Sequence, residues 1–327
     1  MFDLTNPIYQ DADKAREYLE AIHWPEGPVC PHCGNVELGT IAKVEGTKKS
    51  HRAGLYYCNA CKDQFTVTVG TVFERSHVPL NKWVLASHLM AASKKGVSSH
   101  QLMRMLGVTY KTAWFLSHRL REAMKADVTA GPLGGAGKII EADETYIGIK
   151  DDQTPSAQRK GKPYLKRKPG QMKRTIVALV ERGGAVRSFH VESATKESVR
   201  EILFKHADPR STLFTDESRL YTETGKGFAF HDTVMHSAGE YARGAVNTNS
   251  IENTFSVFKR GMHGIYQHCG EAHLNRYLAE FDFRYNRRSA LGVEDQRRTE
   301  DLLRGAVGKR LTYRRIGGAQ ETPQASA

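Results

Sequence analysis

Four of the five cysteines fall into two short pairs, Cys30-Pro31-His32-Cys33 and Cys58-Asn59-Ala60-Cys61, and this spacing constrains the fold of the chain more than any other feature. Two residues between cysteines let both thiolates turn toward one ion from a tight knuckle, and two knuckles supply the four sulfurs of a tetrahedral zinc site. Gly34 follows the first pair, Gly54 precedes the strand-like Leu55-Tyr56-Tyr57, and Phe65 to Val69 reads as a strand beyond the second pair. The expectation is two hairpins clamped by one structural Zn²⁺. The competing readings are disulfides or chance. Disulfides need an oxidising compartment, and Met1 to Lys14 has neither the basic start nor the apolar run of a secretory signal. Cys269 stands alone and reads as a buried apolar residue. Ahead of the cysteines, Ala15, Tyr18, Leu19 and Ile22 have helical spacing, which predicts a helix from Asp11 to Ile22 that ends at Trp24-Pro25-Glu26-Gly27 and docks on the ribbon.

Residues 81–124 read as helical, with breaks at Gly96 and Gly107. Leu85, Leu89 and Met90 form a first apolar face. Ser98, with Gln101 three residues on, caps a short helix carrying Leu102, Met105 and Leu106. After the turn Gly107-Val108-Thr109, a second helix from Tyr110 to about Met124 carries Lys111, His118, Arg119 and Arg121. A short helix, a glycine turn and a basic second helix is the helix-turn-helix pattern, whose second helix enters the major groove. An ordinary helical hairpin is the alternative. On the DNA-binding reading Thr109, Lys111 and Thr112 lie nearest the groove, with Arg119 further along the same helix.

Charge bears on that choice. Lys and Arg number 48 against 36 Asp and Glu in 327 residues, a net charge of +12. The excess is uneven: −2 over residues 1–80, +6 over 81–130 and +8 over 131–327. Clustered basic charge points to a polyanion, nucleic acid before membrane, although simple solubility would also produce it. No apolar run approaches the roughly 18 residues that span a bilayer, so membrane and secreted classes are set aside and a cytoplasmic, nucleoid-associated protein is expected.

Beyond Gly131 to Gly137, which reads as a flexible linker, the pattern changes. Lys138 to Ile147 reads as a strand. Residues 151–174 are polar, with eight Lys/Arg from Arg159 to Arg174, among them Lys166, Arg167 and Lys168. Such a run is either solvated loop or phosphate-backbone contact. Thr175 to Glu181 and Ala185 to Val191 form a hairpin around Gly183-Gly184, followed by a helix (Lys196 to Lys205), a strand (Thr212 to Thr215) and helices near 250–260 and 272–286. This is a mixed α/β domain around a central sheet. Asp143 interrupts its first strand, Asp216 ends Leu213-Phe214-Thr215, and Glu252 opens a helix. Carboxylates in apolar strands are costly unless paired, hydrogen-bonded or bound to metal. Two Mg²⁺ ions about 4 Å apart need such ligands to clamp the attacking and leaving oxygens of a phosphodiester. Lys259, two helical turns after Glu252, lies on the same face and is placed to hold a phosphate. Solvated strand ends and helix caps are the alternative, and Glu141, Glu144 and Glu217 are local competitors.

In several separated blocks the chain resembles insertion-sequence transposases of the zinc-ribbon, ISXO type, which carry an RNase H-like DDE domain. The blocks run from His23-Trp-Pro-Glu-Gly-Pro-Val-Cys-Pro-His-Cys-Gly34 through Glu141-Ala-Asp-Glu-Thr-Tyr-Ile-Gly148, Phe214-Thr-Asp-Glu217, His236-Ser-Ala-Gly-Glu-Tyr241 and Val246-Asn-Thr-Asn-Ser-Ile-Glu252. Phe258-Lys-Arg-Gly261, Gly264-Ile-Tyr266 and Phe281-Asp-Phe-Arg-Tyr-Asn-Arg287 complete the match, which spans roughly residues 10–290 in order.

The expected organisation is a zinc-ribbon segment (1–75), a helix-turn-helix (76–130) and an RNase H-like DDE domain (138–290), followed by a tail (291–327) that lies outside the resemblance and whose basic, then Gly/Ala/Gln-rich composition reads as partly disordered. The resemblance implies a triad of Asp143, Asp216 and Glu252 holding two Mg²⁺ or Mn²⁺, Asp143 both and the others one each, with Lys259 and the 159–174 run on phosphate. Glu252 is preferred to the flanking Asn249 and Asn253 because a carboxylate binds Mg²⁺ better than an amide does. His236 and Tyr241 either orient substrate or pack. The implied reaction hydrolyses a phosphodiester at the element's end and then drives the 3′-OH into target DNA. The implied partners are terminal inverted repeats, target DNA and further copies of the chain. A catalytically inactive, transposon-derived DNA-binding regulator is the other class of function, and inverted repeats flanking the gene discriminate between the two. A plain RNase H-like nuclease accounts for the acids but not for the ribbon.

Overall fold

The computed structural model describes residues 3–37, 39–45, 53–126, 131–148, 173–239 and 242–312. These divide into two units, one built from Asp3–Ala86, Ser99–Ala123 and the chain from Leu303, the other from Ser87–Ser98 and Met124–Leu302.

The first unit begins with two helices, α1 (Pro7–Gln10) and α2 (Ala12–His23). Asp11 caps α2, its Oδ1 accepting from the backbone N–H groups of Asp13 and Lys14, which explains a start one residue inside the predicted helix. Strands β1 (Ile41–Lys43), β2 (Tyr56–Cys58) and β3 (Asp63–Phe65) form an antiparallel sheet in that order. Helix α2 docks on it: the Tyr56 hydroxyl donates to Glu20, and Trp24 meets Tyr56 and Phe65 edge-on with ring centres 5.2 and 5.8 Å apart. The sequence predicted an extended run to Val69. Instead β3 stops at Phe65 and the chain turns, with Val69 N–H donating to Thr66 O. Its alternating pattern buries Phe65 and Val67 in a turn as readily as in a strand.

Helix α3 (Leu80–Ala92) runs from the first unit into the second. It is followed by α4 (Ser99–Leu106) and α5 (Tyr110–Ala123), both in the first unit. Gly107 adopts φ +59 between α4 and α5, a left-handed conformation that glycine adopts without steric cost. The chain beyond Leu303 also belongs here. Val72 N–H donates to Ala306 O and Gly308 N–H to Gly70 O, so residues 306–308 run beside 70–72.

The second unit is a five-stranded sheet. Strand β4 (Leu133–Gly134) forms a separate two-residue ladder with β8 (Ala207–Asp208). The main strands are β5 (Ile139–Ile147), β6 (Arg174–Glu181), β7 (Val186–Val191), β9 (Thr212–Asp216) and β10 (Phe230–Val234), in the order β10-β9-β5-β6-β7. β5, β6 and β7 are an antiparallel meander, while β9 and β10 run parallel to β5. That order, with the third, second, first, fourth and fifth main strands side by side, is the RNase H-like arrangement. β6 is buried on both faces, as its continuous apolar run requires. Its Ile176, Ala178 and Val180 pack with Ile251, Phe255, Phe258, Leu278 and Phe281, from helices α8 (Asn249–Gly261) and α9 (Leu274–Asn286). Val177 and Leu179 pack on the opposite face with Val199, Ile202 and Leu203 of α6 (Lys196–His206). Smaller elements are α7 (Thr222–Gly225) and the ladder β11 (Ala242–Arg243) with β12 (Val246–Asn247).

Helix α9 also closes one edge of the sheet. Asn286, Asp282 and Asn275 accept from the N–H groups of Val186, Ser188 and His190, alternate residues of β7 whose donors would otherwise face outward.

Two sequence expectations change here. Gly131 to Gly137 is folded onto the sheet unit. Leu133 is buried, Gly134 N–H donates to Glu181 and Gly135 N–H to Ser211 Oγ. Gly134 sits at φ +89 where a Cβ would lie 2.1 Å from Ser211 Oγ, so this glycine serves close packing, which composition does not distinguish from flexibility. The segment assigned to the tail contains helix α10 (Asp295–Arg304), with Leu302, Leu303 and Ala306 buried. Its three Arg and three Asp/Glu in ten residues hid a narrow apolar stripe.

Candidate functional site

The cysteine cluster is assembled from two matching knuckles. Gly34 N–H donates to Cys30 O at 2.9 Å, and Lys62 N–H donates to Cys58 O at 2.8 Å. Both residues adopt positive φ, +74 and +62, immediately after the second cysteine of their pair. The knuckles bring all four sulfurs within 4.8 Å of one another, with Cys30···Cys61 at 3.6 Å and Cys33···Cys58 at 3.8 Å. A tetrahedron with Zn–S bonds of about 2.3 Å has edges of about 3.8 Å, so the donor set fits zinc. The same separations are far beyond an S–S bond, and all four thiols are free. Backbone N–H groups of Cys61 and Ala60 aimed at Cys58 hold its thiol down at about 6, favouring the thiolate a metal needs.

The acidic site lies where the sheet opens. The β5–β9 ladder ends at the Glu141–Phe214 pair. Continuing that register two residues places Asp143 beside Asp216, beyond the last paired residues. Carboxylate oxygens of Asp143, Glu144 and Asp216 lie within 4.8 Å of one another. Burial first, then the charges of Asp216, Glu144 and Glu252, push Asp143 up to about 8. Glu144 is also raised, chiefly by burial, and accepts a hydrogen bond from the fully buried Tyr221 hydroxyl at 2.8 Å. Three oxygen donors held together against mutual repulsion are the ligand chemistry of a hard divalent cation.

The placement of the acids differs in detail from the triad expected. Asp143 and Asp216 come together. Glu252 stands in the first turn of α8, exposed, its Oε1 accepting from Thr248 Oγ1 at 2.9 Å; it acts on Asp143 through its charge but lies outside the tight cluster. Glu144 occupies that cluster instead. Strand alternation sends Glu144 to the α6 face, opposite Asp143, and only the end position of Asp216 lets both reach it. The other competitors are engaged elsewhere: Glu217 accepts from Ser237 N–H and Oγ, and the buried Glu141 from Arg182 and the start of α8. Lys259 is half-buried in the last turn of α8, where its carbonyl accepts from Met262 N–H. His236 opens a short 3₁₀ helix, and Tyr241 lies outside the described residues.

Comparison with known proteins gives the same two parts. Residues 10–64 match the transposase zinc-ribbon domain, and residues 132–286 match the ISXO2-like transposase domain. The chain thus carries a transposase zinc-ribbon domain and an ISXO2-like transposase domain. Over 279 residues it is 29% identical to the "Uncharacterized protein in transposable element ISH50" of Halobacterium salinarum, covering 83% of this chain and 90% of that one. Among solved structures it is similar to the Mos1 strand transfer complex, at 12% identity, 63% of this chain, 69% of that chain and a TM-score of 0.28. It is also similar to a Mos1 paired-end complex with the left transposon end, at 13% identity, 57% and 74% coverage and a TM-score of 0.20. At those scores the structural likeness carries no weight by itself.

The helix-turn-helix candidates separate into two groups. Thr109 and Lys111 are exposed at the start of α5, and Thr112, half-buried, donates its N–H to Thr109 Oγ1, so Thr109 caps the helix. Arg119 is a correction: it is buried at 9% exposure, with Nε donating to Leu311 O and Nη1 to Glu74 O. Those carbonyls would lose their partners if the guanidinium turned out to a phosphate. Lys166, Arg167 and Lys168 lie outside the described residues. No helix among the described residues is long and apolar enough to cross a membrane.

Proposed function

We propose that this chain is an active DNA transposase that cuts insertion-sequence ends and joins the freed 3′-OH to target DNA. The observation that carries this reading is the clustering of Asp143, Glu144 and Asp216 at the open end of the β5–β9 ladder in a chain that carries an ISXO2-like transposase domain. Mg²⁺ or Mn²⁺ bound there would activate the attacking oxygen and stabilise the leaving one. Asp143, Asp216 and Glu252 would hold these ions, with Glu144 as an additional donor. Lys259, two turns along α8 from Glu252, binds the scissile phosphate or its neighbour. Tyr221 holds the Glu144 carboxylate in place through its hydroxyl. The four cysteines hold a structural Zn²⁺, and α4–α5 act as a helix-turn-helix with Thr109, Lys111 and Thr112 toward DNA. The catalytic assembly contains more than one copy of the chain, because two element ends must meet.

The test is a strand-transfer assay with element-end DNA, a target plasmid and Mg²⁺. It compares the wild type with Asp143→Ala, Asp216→Ala, Glu252→Ala and Glu144→Ala. Joined product from the wild type, lost in the first three, supports the reading. If Glu252→Ala joins DNA while Glu144→Ala does not, Glu144 takes the third position. If the wild type binds ends and never joins them, the inactive DNA-binding regulator is the better account.

A further inference from the structure

Glu141 lies two residues before Asp143 on β5 and therefore on the same face of the strand, toward α8. It is fully buried, and its partners account for both oxygens. Oε1 accepts from Arg182 Nε at 2.9 Å and Nη2 at 2.8 Å, while Oε2 accepts from the N–H groups of Ser250 and Ile251 at 2.8 and 3.0 Å. Ser250 and Ile251 are the second and third residues of α8, whose donors have no partner within the helix. The N-cap residue, Thr248, makes no capping bond to them; its hydroxyl donates to Glu252 instead. Glu141 thus caps α8 from another element, with its negative charge at the positive end of the helix dipole.

Arg182 extends the grip backward along the chain. Its guanidinium donates to Ala245 O at 2.9 Å and to Asn247 O at 3.0 Å, and lies over the Phe214 ring at 5.3 Å. The segment from Ala245 to Ile251 is tied to the strand that carries Asp143 by one ion pair, in which Glu141 is fully buried and Arg182 half-buried, and Glu252 is the next residue. A fully buried carboxylate is a costly way to anchor a helix when an ordinary side-chain cap would do. What the pair adds is a fixed spacing between two elements far apart in sequence.

We infer that Glu141 and Arg182 are positioning residues that set Glu252 against Asp143 and Asp216, and so tune how tightly the acidic site binds a divalent cation. This rests on the proposed function of that site. Substitutions that disturb supporting groups around metal ligands typically cost about 10–100-fold in affinity.

The experiment is calorimetric titration of the purified full-length, zinc-loaded chain with Mn²⁺ alone. The variants are Glu141→Gln, Arg182→Lys, Glu252→Ala, Asp143→Ala and the double variant Glu141→Gln/Glu252→Ala. Mn²⁺ binding by the wild type that Asp143→Ala removes establishes the site; without it, the proposed function and this inference fall together. Given that site, Glu141→Gln is expected to weaken Mn²⁺ binding about tenfold while zinc content and element-end DNA binding stay unchanged. In the Glu252→Ala background the same substitution is expected to cost less than about twofold, because two residues acting through one contact are not additive. Arg182→Lys, which leaves the Glu141 bonds to α8 available, is expected to give a smaller loss in the same direction, and it carries the test if Glu141→Gln does not fold. Wild-type Mn²⁺ affinity in Glu141→Gln, or in Arg182→Lys should that variant carry the test, would overturn the inference. An equal loss with and without Glu252 would show a purely structural role and also overturn it.

Discussion

The cysteine cluster and the acidic cluster each gather ligands for a metal, and they do it in opposite ways. The four thiols come from residues 30–33 and 58–61, where backbone N–H groups favour the Cys58 thiolate and burial pushes the Cys61 thiol up. The acids come from positions 143, 144 and 216, with Glu252 nearby, and burial together with the neighbouring carboxylates raises the proton affinity of Asp143 and Glu144. A cluster of the first kind contributes metal-binding energy directly to folding. A cluster of the second kind lowers the stability of the metal-free fold in return for a ready ligand set.

Cys58→Ala breaks the contrast most severely. Apparent zinc binding free energies at structural sites are about 10–16 kcal/mol, so zinc content is expected to fall from one per chain to none. The ribbon core of Tyr56, Phe65 and Trp24 should unfold with it, read by elemental analysis and by tryptophan emission.

At the acidic site removal of a ligand should have the opposite effect on stability. Asp143→Asn is expected to abolish strand transfer and to raise the melting temperature of the metal-free protein at pH 8. Relief of ~1 kcal/mol of repulsion and desolvation is worth about 2–4 °C in a unit of this size. A lowered melting temperature would contradict the idea of mutual repulsion.

The pH dependence sharpens the same point. Burial and the neighbouring carboxylates lift Asp143 from 3.8 to about 8, so the metal-free fold keeps a proton that the unfolded chain has released. This group's contribution to stability is full below about pH 4 and is lost as pH rises through about 8. Metal must displace that proton. Mg²⁺ affinity, measured by titration, is therefore expected to tighten by up to about tenfold per pH unit from pH 6 and to level off above pH 8. A flat profile would contradict it.

A smaller pair of effects separates two basic residues of α5. Arg119→Ala should destabilise the first unit by about 1–3 kcal/mol, because it leaves the Glu74 and Leu311 carbonyls without their donor. Lys111→Ala should leave the melting temperature unchanged, weaken DNA binding several-fold and reduce the salt slope by about 1. Equal loss of DNA affinity in two equally stable variants would return Arg119 to the DNA surface.

What was legible in the sequence follows the same division. The cysteine knuckles, the Asp11-capped helix and the hairpin around Gly183-Gly184 are specified by neighbours a few residues apart, so spacing alone located them. The positions of Asp143 and Asp216 were legible because carboxylates interrupt apolar strands. Glu144 was weighed as a competitor but not chosen: alternation assigns it to the other face, and only the strand register shows that Asp216 ends within reach of both. Arg119 reads as a surface cation until the carbonyls around it are known. Gly134 reads as linker until Ser211 stands against it. In each case the deciding partner is distant in sequence, 73 residues for Asp143 and Asp216, and 192 for Arg119 and Leu311.

The most direct measurement of the central claim is an anomalous-scattering map from crystals of the protein with element-end DNA and Mn²⁺. The account predicts a zinc peak among Cys30, Cys33, Cys58 and Cys61. It also predicts two manganese peaks about 4 Å apart, both contacting Asp143, with Asp216 on one and Glu252 or Glu144 on the other. A zinc peak with no manganese at Asp143 and Asp216 would contradict it.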